Sequence, residues 1–162
     1  MAEKRYAGLN FDEVVQKYAQ TVTGVCVMRL KSYHDAEDCF QNTFFKLYRS
    51  QLDFQNEKHL KAWLIRVAVN ECNDFLRRQN RLAPLEALES KTITLNTDAL
   101  DASDALLKLE PKYREVLYLH YIERYKTKEI ADILDLNPNT VKTNLKRGRD
   151  KLRKNLGGDK NE

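Results

Sequence analysis

The stretch TKEIADILDLNPNTVKTNLKRGRDKLRK, Thr127 to Lys154, decides how the rest of the chain is read. It has the pattern of two helices joined by a tight turn. Ile130, Ala131 and Leu134 form the apolar stripe of the first. Val141, Leu145, Gly148 and Leu152 keep to one face of the second, because their steps of four, three and four follow the helical period. Asp135 stands where a left-handed residue is needed, a conformation that Gly adopts most easily and Asp tolerates. Asn137 is a good N-cap and Pro138 suits the first helical position. Together these are the marks of a helix-turn-helix. The opposite face of the second helix carries Asn139, Lys142, Thr143 and Lys146. Residues 142–154 hold seven Lys or Arg against the one acid Asp150, a local net charge of +6. Such density gains most from a phosphate backbone, through counterion release. A solvated helix end favoured by the helix dipole is the plainer alternative for the charge taken alone. The turn, cap and stripe favour a helix that enters a DNA major groove.

Charge is unevenly spread over the 162 residues. Residues 1–80 carry 12 basic and 10 acidic side chains, residues 81–104 carry 2 and 5, and residues 105–162 carry 14 and 9. A mixed start, an acidic middle and a basic end predict two modules and a linker. The expected fold is all-α: a helical bundle over 1–80, a linker over 81–101, a helix-turn-helix bundle over 102–156, and a disordered tail at 157–162. No apolar run reaches membrane-spanning length and the N-terminus has no signal-peptide core, which predicts a cytoplasmic protein without membrane insertion. Cys26, Cys39 and Cys72 are odd in number and lack both disulfide and metal spacing, so they read as buried small hydrophobes, with redox sensing a remote alternative.

Helical periodicity predicts a first helix from about Phe11 to Lys31, lined by Phe11, Val14, Val15, Tyr18, Val22 and Cys26. A second starts at Asp35 as its cap and runs to about Ser50. Ala36, Cys39, Phe40, Phe44 and Leu47 face its core, while Glu37, Asp38, Gln41 and Asn42 project elsewhere. After the loop Gln51–Glu57, a third helix spans about Lys58 to Asn80. Its seam includes Leu60, Trp63, Leu64, Val67, Ala68, Cys72, Phe75 and Leu76. Its polar side holds Lys58, Lys61, Arg66, Asn70, Asn73, Arg77 and Arg78, chemistry suited to a nucleic-acid strand or to plain solvent. Further on, a short helix over Asp101–Leu109 precedes one from Pro111 to near Glu123, where Val116, Leu117, Leu119 and Tyr121 supply apolar mass. No phosphate loop or nucleophile elbow occurs, and His34, His59 and His120 lie far apart. No catalytic residue, metal site or cofactor is expected, and the chain reads as a non-enzyme.

Four blocks in order resemble the extracytoplasmic-function (ECF) group of the bacterial sigma-70 family. DAEDCFQNTFFKLYR from Asp35 is similar to its core-polymerase-binding helix. FQNEKHLKAWLIRVAVNECNDFLRR from Phe54 is similar to its −10-reading loop and helix. LEPKYREVLYLHYIE from Leu109 and the helix-turn-helix are similar to its −35-binding domain. The likeness covers nearly all of residues 10–155. It implies an initiation subunit that binds core RNA polymerase, brings it to promoter DNA and opens the −10 element, with an anti-sigma factor as a candidate further partner. Asp38, Gln41 and Asn42 fall on the positions that meet the largest polymerase subunit. Phe54, Gln55, Asn56, Lys58, Asn70, Asn73, Arg77 and Arg78 fall on or beside those for the −10 element; Phe54 would wall a pocket for an unstacked base. Asn139, Thr140, Lys142, Thr143, Lys146 and Arg147 fall on those for −35. Three positions depart from the family's habit: Asp135 for a turn Gly, Asn144 for a frequent Arg, and Gly148 for a frequent Ala. Asn144 puts one contact in doubt, and Gly148 is expected to allow close packing at ~1 kcal/mol of helix propensity.

The linker bears on mechanism too. About 20 residues reach roughly 70 Å when extended and average about 25 Å as free coil. The two promoter elements should lie ~50–60 Å apart, at ~3.4 Å per base pair. An extended linker in the working complex is therefore expected, and the acidity of the linker beside two basic faces motivates the expectation that the two domains sit closer in the free protein, hiding their DNA faces. Two other readings compete: an autonomous helix-turn-helix regulator with an N-terminal dimerisation or sensing module, and an inert helical interaction protein. A regulator has no need of the polar 35–49 helix followed by an amide-rich basic one.

Overall fold

The computed structural model describes residues 3–82 and 100–157. The secondary structure there is helical, apart from one isolated bridge between Tyr6 and Leu9. The acidic stretch over 83–99 and the tail at 158–162, including the expected linker geometry and disordered tail, lie outside the described residues. The chain divides into two compact units, with the division at residues 91 and 92.

The front unit packs three helices pairwise: α1 (Phe11–Leu30), α2 (Tyr33–Arg49) and α3 (Glu57–Leu82). Asn10 opens α1 through a capping box. Its Oδ1 accepts from Glu13 N at 2.8 Å, and Glu13 Oε1 accepts from Asn10 N at 3.1 Å. This satisfies two donors that a bare helix start would orphan. Lys31 ends α1 in the left-handed conformation at φ 59°. Before α1, Ala7 and Gly8 both take positive φ in a two-residue turn that folds the buried Tyr6 back beside Phe11. The cap of the second helix lies three residues earlier than expected. Ser32, and not Asp35, caps α2; Asp35 N donates to Ser32 Oγ at 3.3 Å. Both residues are good caps, and Ser32 lets a further turn form.

The core of this unit is Val14, Val22, Cys26, Leu47, Leu60, Leu64, Ile65, Ala68 and Cys72. Fully burying each Val, Leu or Ile side chain among these is worth roughly 1.5–3 kcal/mol. Phe40, Trp63, Phe75 and Leu76, all assigned to the seam by periodicity, are only half-buried. They lie at the edges of the three-helix contact, where the stripe turns towards solvent. The three cysteines, one from each helix, are buried together. A hydrogen bond to Cys72 and burial push the Cys39 thiol up, and a hydrogen bond to Cys26 and burial do the same at Cys72. Cys39 and Cys72 therefore stay protonated, and all three side chains pack as hydrophobes.

The rear unit comprises α4 (Leu100–Leu107), α5 (Pro111–Leu117), a π-turn (Tyr118–Ile122), α6 (Thr127–Leu134) and α7 (Pro138–Gly157). Helix α7 is the spine against which α4, α5 and α6 pack. Its Gly148 lies against α5: a Cβ there would come within 3.0 Å of Leu117 Cδ1 and 3.3 Å of Tyr113 Cβ. Close packing through Gly148 is thus realised. The π-turn corrects one expectation. Leu119 is buried as predicted, but Tyr121 is 53% exposed, and Tyr118 takes a core place instead. The wider turn slips the helical phase, so residue 121 no longer follows residue 117.

Candidate nucleic-acid interface

The turn of the helix-turn-helix closes as its chemistry demands. Asp135 ends α6 at φ 55° and ψ 50°, in the left-handed well. Leu136 N then reaches Ala131 O at 2.9 Å, which satisfies a carbonyl at the helix end. Asn137 Oδ1 accepts from Asn139 N at 2.8 Å, and Pro138 begins α7. Ile130 and Val141 are fully buried, and Leu145 nearly so. Ile133 is buried where Leu134, expected in the stripe, is half-buried. This fixes the rotation of α7. Asn139, Thr140, Lys142, Thr143, Lys146 and Arg147 all face solvent. Lys142, Lys146 and Arg147 have no ion pair among the described residues. Asn144, by contrast, is only 8% exposed, so this departure from the family pattern sits on the packed side of α7.

In the front unit the loop before α3 is held from below. Phe54 is 8% exposed, its ring edge-on to His59 at 5.4 Å and to Trp63 at 5.5 Å. The ring therefore pins the loop onto α3. Asn56 Oδ1 accepts from His59 N at 2.8 Å and caps α3, which starts at Glu57. Gln55, Asn56 and Lys58 are exposed around this anchor. Glu57 closes the loop against α1, accepting from Lys17 and from the Tyr18 hydroxyl, the latter at 3.1 Å. The hydrogen bond from Lys17 holds the Glu57 carboxyl below its ordinary range, and burial with the bond to Glu57 pushes Tyr18 up to about 12.

On α3 itself Asn70 and Arg77 are exposed, and Arg77 pairs with Asp74. Asn73 is half-buried, and its Oδ1 accepts from Arg29 Nε at 3.0 Å and Nη2 at 2.6 Å. That leaves its amide N–H groups for any base edge. Arg78 is exposed on the side of α3 towards α2. On α2, Asp38, Gln41 and Asn42 are exposed as expected. Phe45 was missed from the sequence. It follows Gln41 and Asn42 by four and three residues, is 53% exposed, and has the Arg49 guanidinium 4.3 Å from its ring centroid. The spacing was there to find, but a Phe next to Phe44 reads as core. Among the described residues no His, Cys, Asp or Glu cluster is arranged to hold a metal. No helix there is long and apolar enough to cross a membrane.

The arrangement matches known proteins along its length. Sigma-70 region 2 matches residues 14–82 and sigma-70 region 4 matches residues 100–152. The ECF RNA polymerase sigma factor SigW of Bacillus subtilis is 32% identical over 165 residues, spanning 90% of this chain and 88% of its own. The chain belongs to the ECF group of the sigma-70 family. CarQ of Myxococcus xanthus, another RNA polymerase sigma factor, is 29% identical over 91% of this chain and 89% of its own. In three dimensions this sigma factor matches RpoE of Bartonella quintana, solved with the anti-sigma factor NepR. The TM-score is 0.77 at 21% identity, over 93% of this chain and 98% of that one. CnrH, solved with the cytosolic domain of CnrY, gives a TM-score of 0.64 at 25% identity, over 92% and 88%. The all-α, two-unit expectation is thereby met. As a sigma factor the chain binds core RNA polymerase and directs promoter-specific initiation of transcription.

Proposed function

We propose a division of labour within this sigma factor. Asp38, Gln41 and Asn42 of α2 dock on the polymerase, with Phe45 and Arg49 extending the same stripe. Polar groups suit a subunit that must come and go, since they give specificity without a large apolar patch exposed in the free protein. The pinned loop (Phe54, Gln55, Asn56, Lys58) and Asn70 seat the −10 strand. Asn73 offers its remaining N–H groups, and Arg77 and Arg78 make the basic end of the surface. Phe54 acts as the floor that holds this loop and does not itself wall the base. Asn139, Thr140, Lys142, Thr143, Lys146 and Arg147 enter the −35 major groove. The protein works in the cytoplasm as a non-catalytic subunit, without metal or cofactor, and is held in check by an anti-sigma protein, as RpoE is seen bound to the anti-sigma factor NepR.

The observation that carries this reading is the rotation of α7, which buries Val141 and Leu145 and turns every one of its six predicted groove residues outward. Run-off transcription with purified core polymerase tests it. The native chain should confer initiation on core alone at its selected promoter, and Lys142→Ala with Lys146→Ala should depress it. A chain that needs another sigma factor already present, while binding duplex operators tightly by itself, would be an autonomous regulator instead.

A further inference from the structure

Asn70 and Asn73 are both amides on α3, but only one of them is tied. At 3.6 residues per turn they lie about 60° apart around the helix, and Arg77 falls between them. Asn70 is exposed and has no side-chain hydrogen bond among the described residues, so either end of its amide can turn outward. Asn73 stands half-buried at the edge that meets α1. There Arg29, 44 residues earlier and in the last turn of α1, sends two N–H groups to a single oxygen: Nε lies 3.0 Å and Nη2 2.6 Å from Asn73 Oδ1. A guanidinium has donors only, so the amide atom facing it must be the oxygen. That oxygen has two lone pairs, and both are taken. The two bonds are charge-assisted and hold more firmly than neutral ones. A flipped amide would lose both and set its NH2 against other donors. The helix dipole favours a cation in the last turn of α1, but it gives no reason for that cation to converge on one oxygen of another helix.

We infer that Arg29 is a specificity-determining positioning residue, which makes Asn73 a donor-only reader of the −10 strand. With its oxygen engaged, Asn73 turns Nδ2 outward, able to give hydrogen bonds and to accept none. Adenine sets a donor, N6, beside an acceptor, N7, and the two-point contact with it needs both ends of an Asn amide. Asn73 cannot make that contact. It fits an edge whose acceptors take those places, guanine O6 with N7 or thymine O4. Untied Asn70 stays open to either kind of base. Arg29 itself meets no base; a residue of α1 thus takes part in base choice through the orientation it imposes on α3.

This inference rests on the reading of Asn73 as a −10 residue, and the test separates the two. Holoenzyme assembled with each variant is given forked −10 DNA carrying each of the four bases in turn at every −10 position, and relative affinities are measured by competition. Asn73→Ala should flatten the base preference at one position and so mark the base that Asn73 meets. There the native chain should favour guanine or thymine over adenine. Arg29→Met, which keeps the length of the side chain and removes its donors, should raise adenine against the preferred base about fivefold or more. Arg29→Lys, which retains a donor, should fall in between. Preference at the other −10 positions and binding to a −35 duplex should stay native. Trp63 fluorescence should be native in Arg29→Met; if it is not, Arg29→Lys and its partial shift decide the matter. If Asn73→Ala marks a position and the Arg29 variants leave its ranking unchanged, the inference is overturned and the −10 reading stands. If Arg29→Met weakens every sequence alike, Arg29 is a phosphate contact or a support for the fold, and the inference is again overturned. A native preference for adenine at the marked position overturns it too. If Asn73→Ala marks no position, the −10 reading of Asn73 fails and takes the inference with it.

Discussion

Helices α3 and α7 both present Lys, Arg and amide groups, yet they hold them differently. On α7 Lys142, Lys146 and Arg147, the cations proposed for the groove, stand out in solvent, and the turn before the helix fixes only their common direction. Around α3 the polar groups are cross-tied: Asn73 to Arg29, Arg77 to Asp74, Glu57 to Lys17 and Tyr18, Asn56 to the helix start. The proposed targets account for the contrast. A duplex major groove already exists, so its reader needs only position and charge. A base taken from the stack costs a few kcal/mol, and the surface that receives it must be ordered beforehand. Rigid seating at the front and open charge at the rear is therefore the comparison to break.

The largest effect should come from Phe54→Ala. Removing a ring packed on His59 and Trp63 should cost about 3 kcal/mol in the front unit. Trp63 is the only tryptophan, so its fluorescence reports that unit alone. Promoter opening should fail while binding to a −35 duplex survives. Equal loss of both would mean that the two units do not divide the work. The second is Gly148→Val, which sets a branched side chain against Leu117 and Tyr113. Overpacking of this kind costs about 1–3 kcal/mol. Denaturation followed by circular dichroism should show the rear unit weakened, with the Trp63 transition unmoved.

Lys142→Ala with Lys146→Ala ranks third. If both lysines lie on phosphates, the log–log salt slope of −35 duplex binding should fall by about 2 and affinity should drop at every sequence alike. A changed preference at one base pair would instead assign Lys142 to a guanine edge. An unaltered slope would remove both from the groove.

What was legible in the sequence follows the range of the forces involved. The helix-turn-helix could be read because its turn is local chemistry: a left-handed Asp135, the Asn137 cap and Pro138 lie within four residues. The three front helices were legible from period alone. Contacts across the chain were not. Phe54 looked like an exposed loop aromatic until Trp63 covered it, and Asn73 looked available until Arg29, 44 residues earlier, took its oxygen. Ser32 and Asp35 were equally good caps, and their order could not be told from either side chain. Tyr121 was misplaced because a single π-turn breaks the period on which the reading relied.

The smallest effect concerns the brace at the start of α3, and it sharpens the claim that the front surface is held rigid. The Lys17 hydrogen bond, followed by that from Tyr18, lowers the Glu57 pKa in the fold relative to its ordinary value of 4.5. A carboxyl depressed in the native state contributes stability that is fully present above the unfolded value and disappears as pH falls through the folded one. The native chain should therefore lose stability between about pH 5 and the depressed value more steeply than Glu57→Gln does, and the two curves should converge in stronger acid. Because Glu57 is well exposed, solvent screens the pair and the difference should be slight. Its readout in function is sharper than in stability. If the brace orders the loop for the −10 base, Glu57→Gln should slow promoter opening at neutral pH while core affinity and −35 duplex binding stay native. An opening rate equal to that of the native chain would show that Phe54 and the Asn56 cap hold the loop without help from α1.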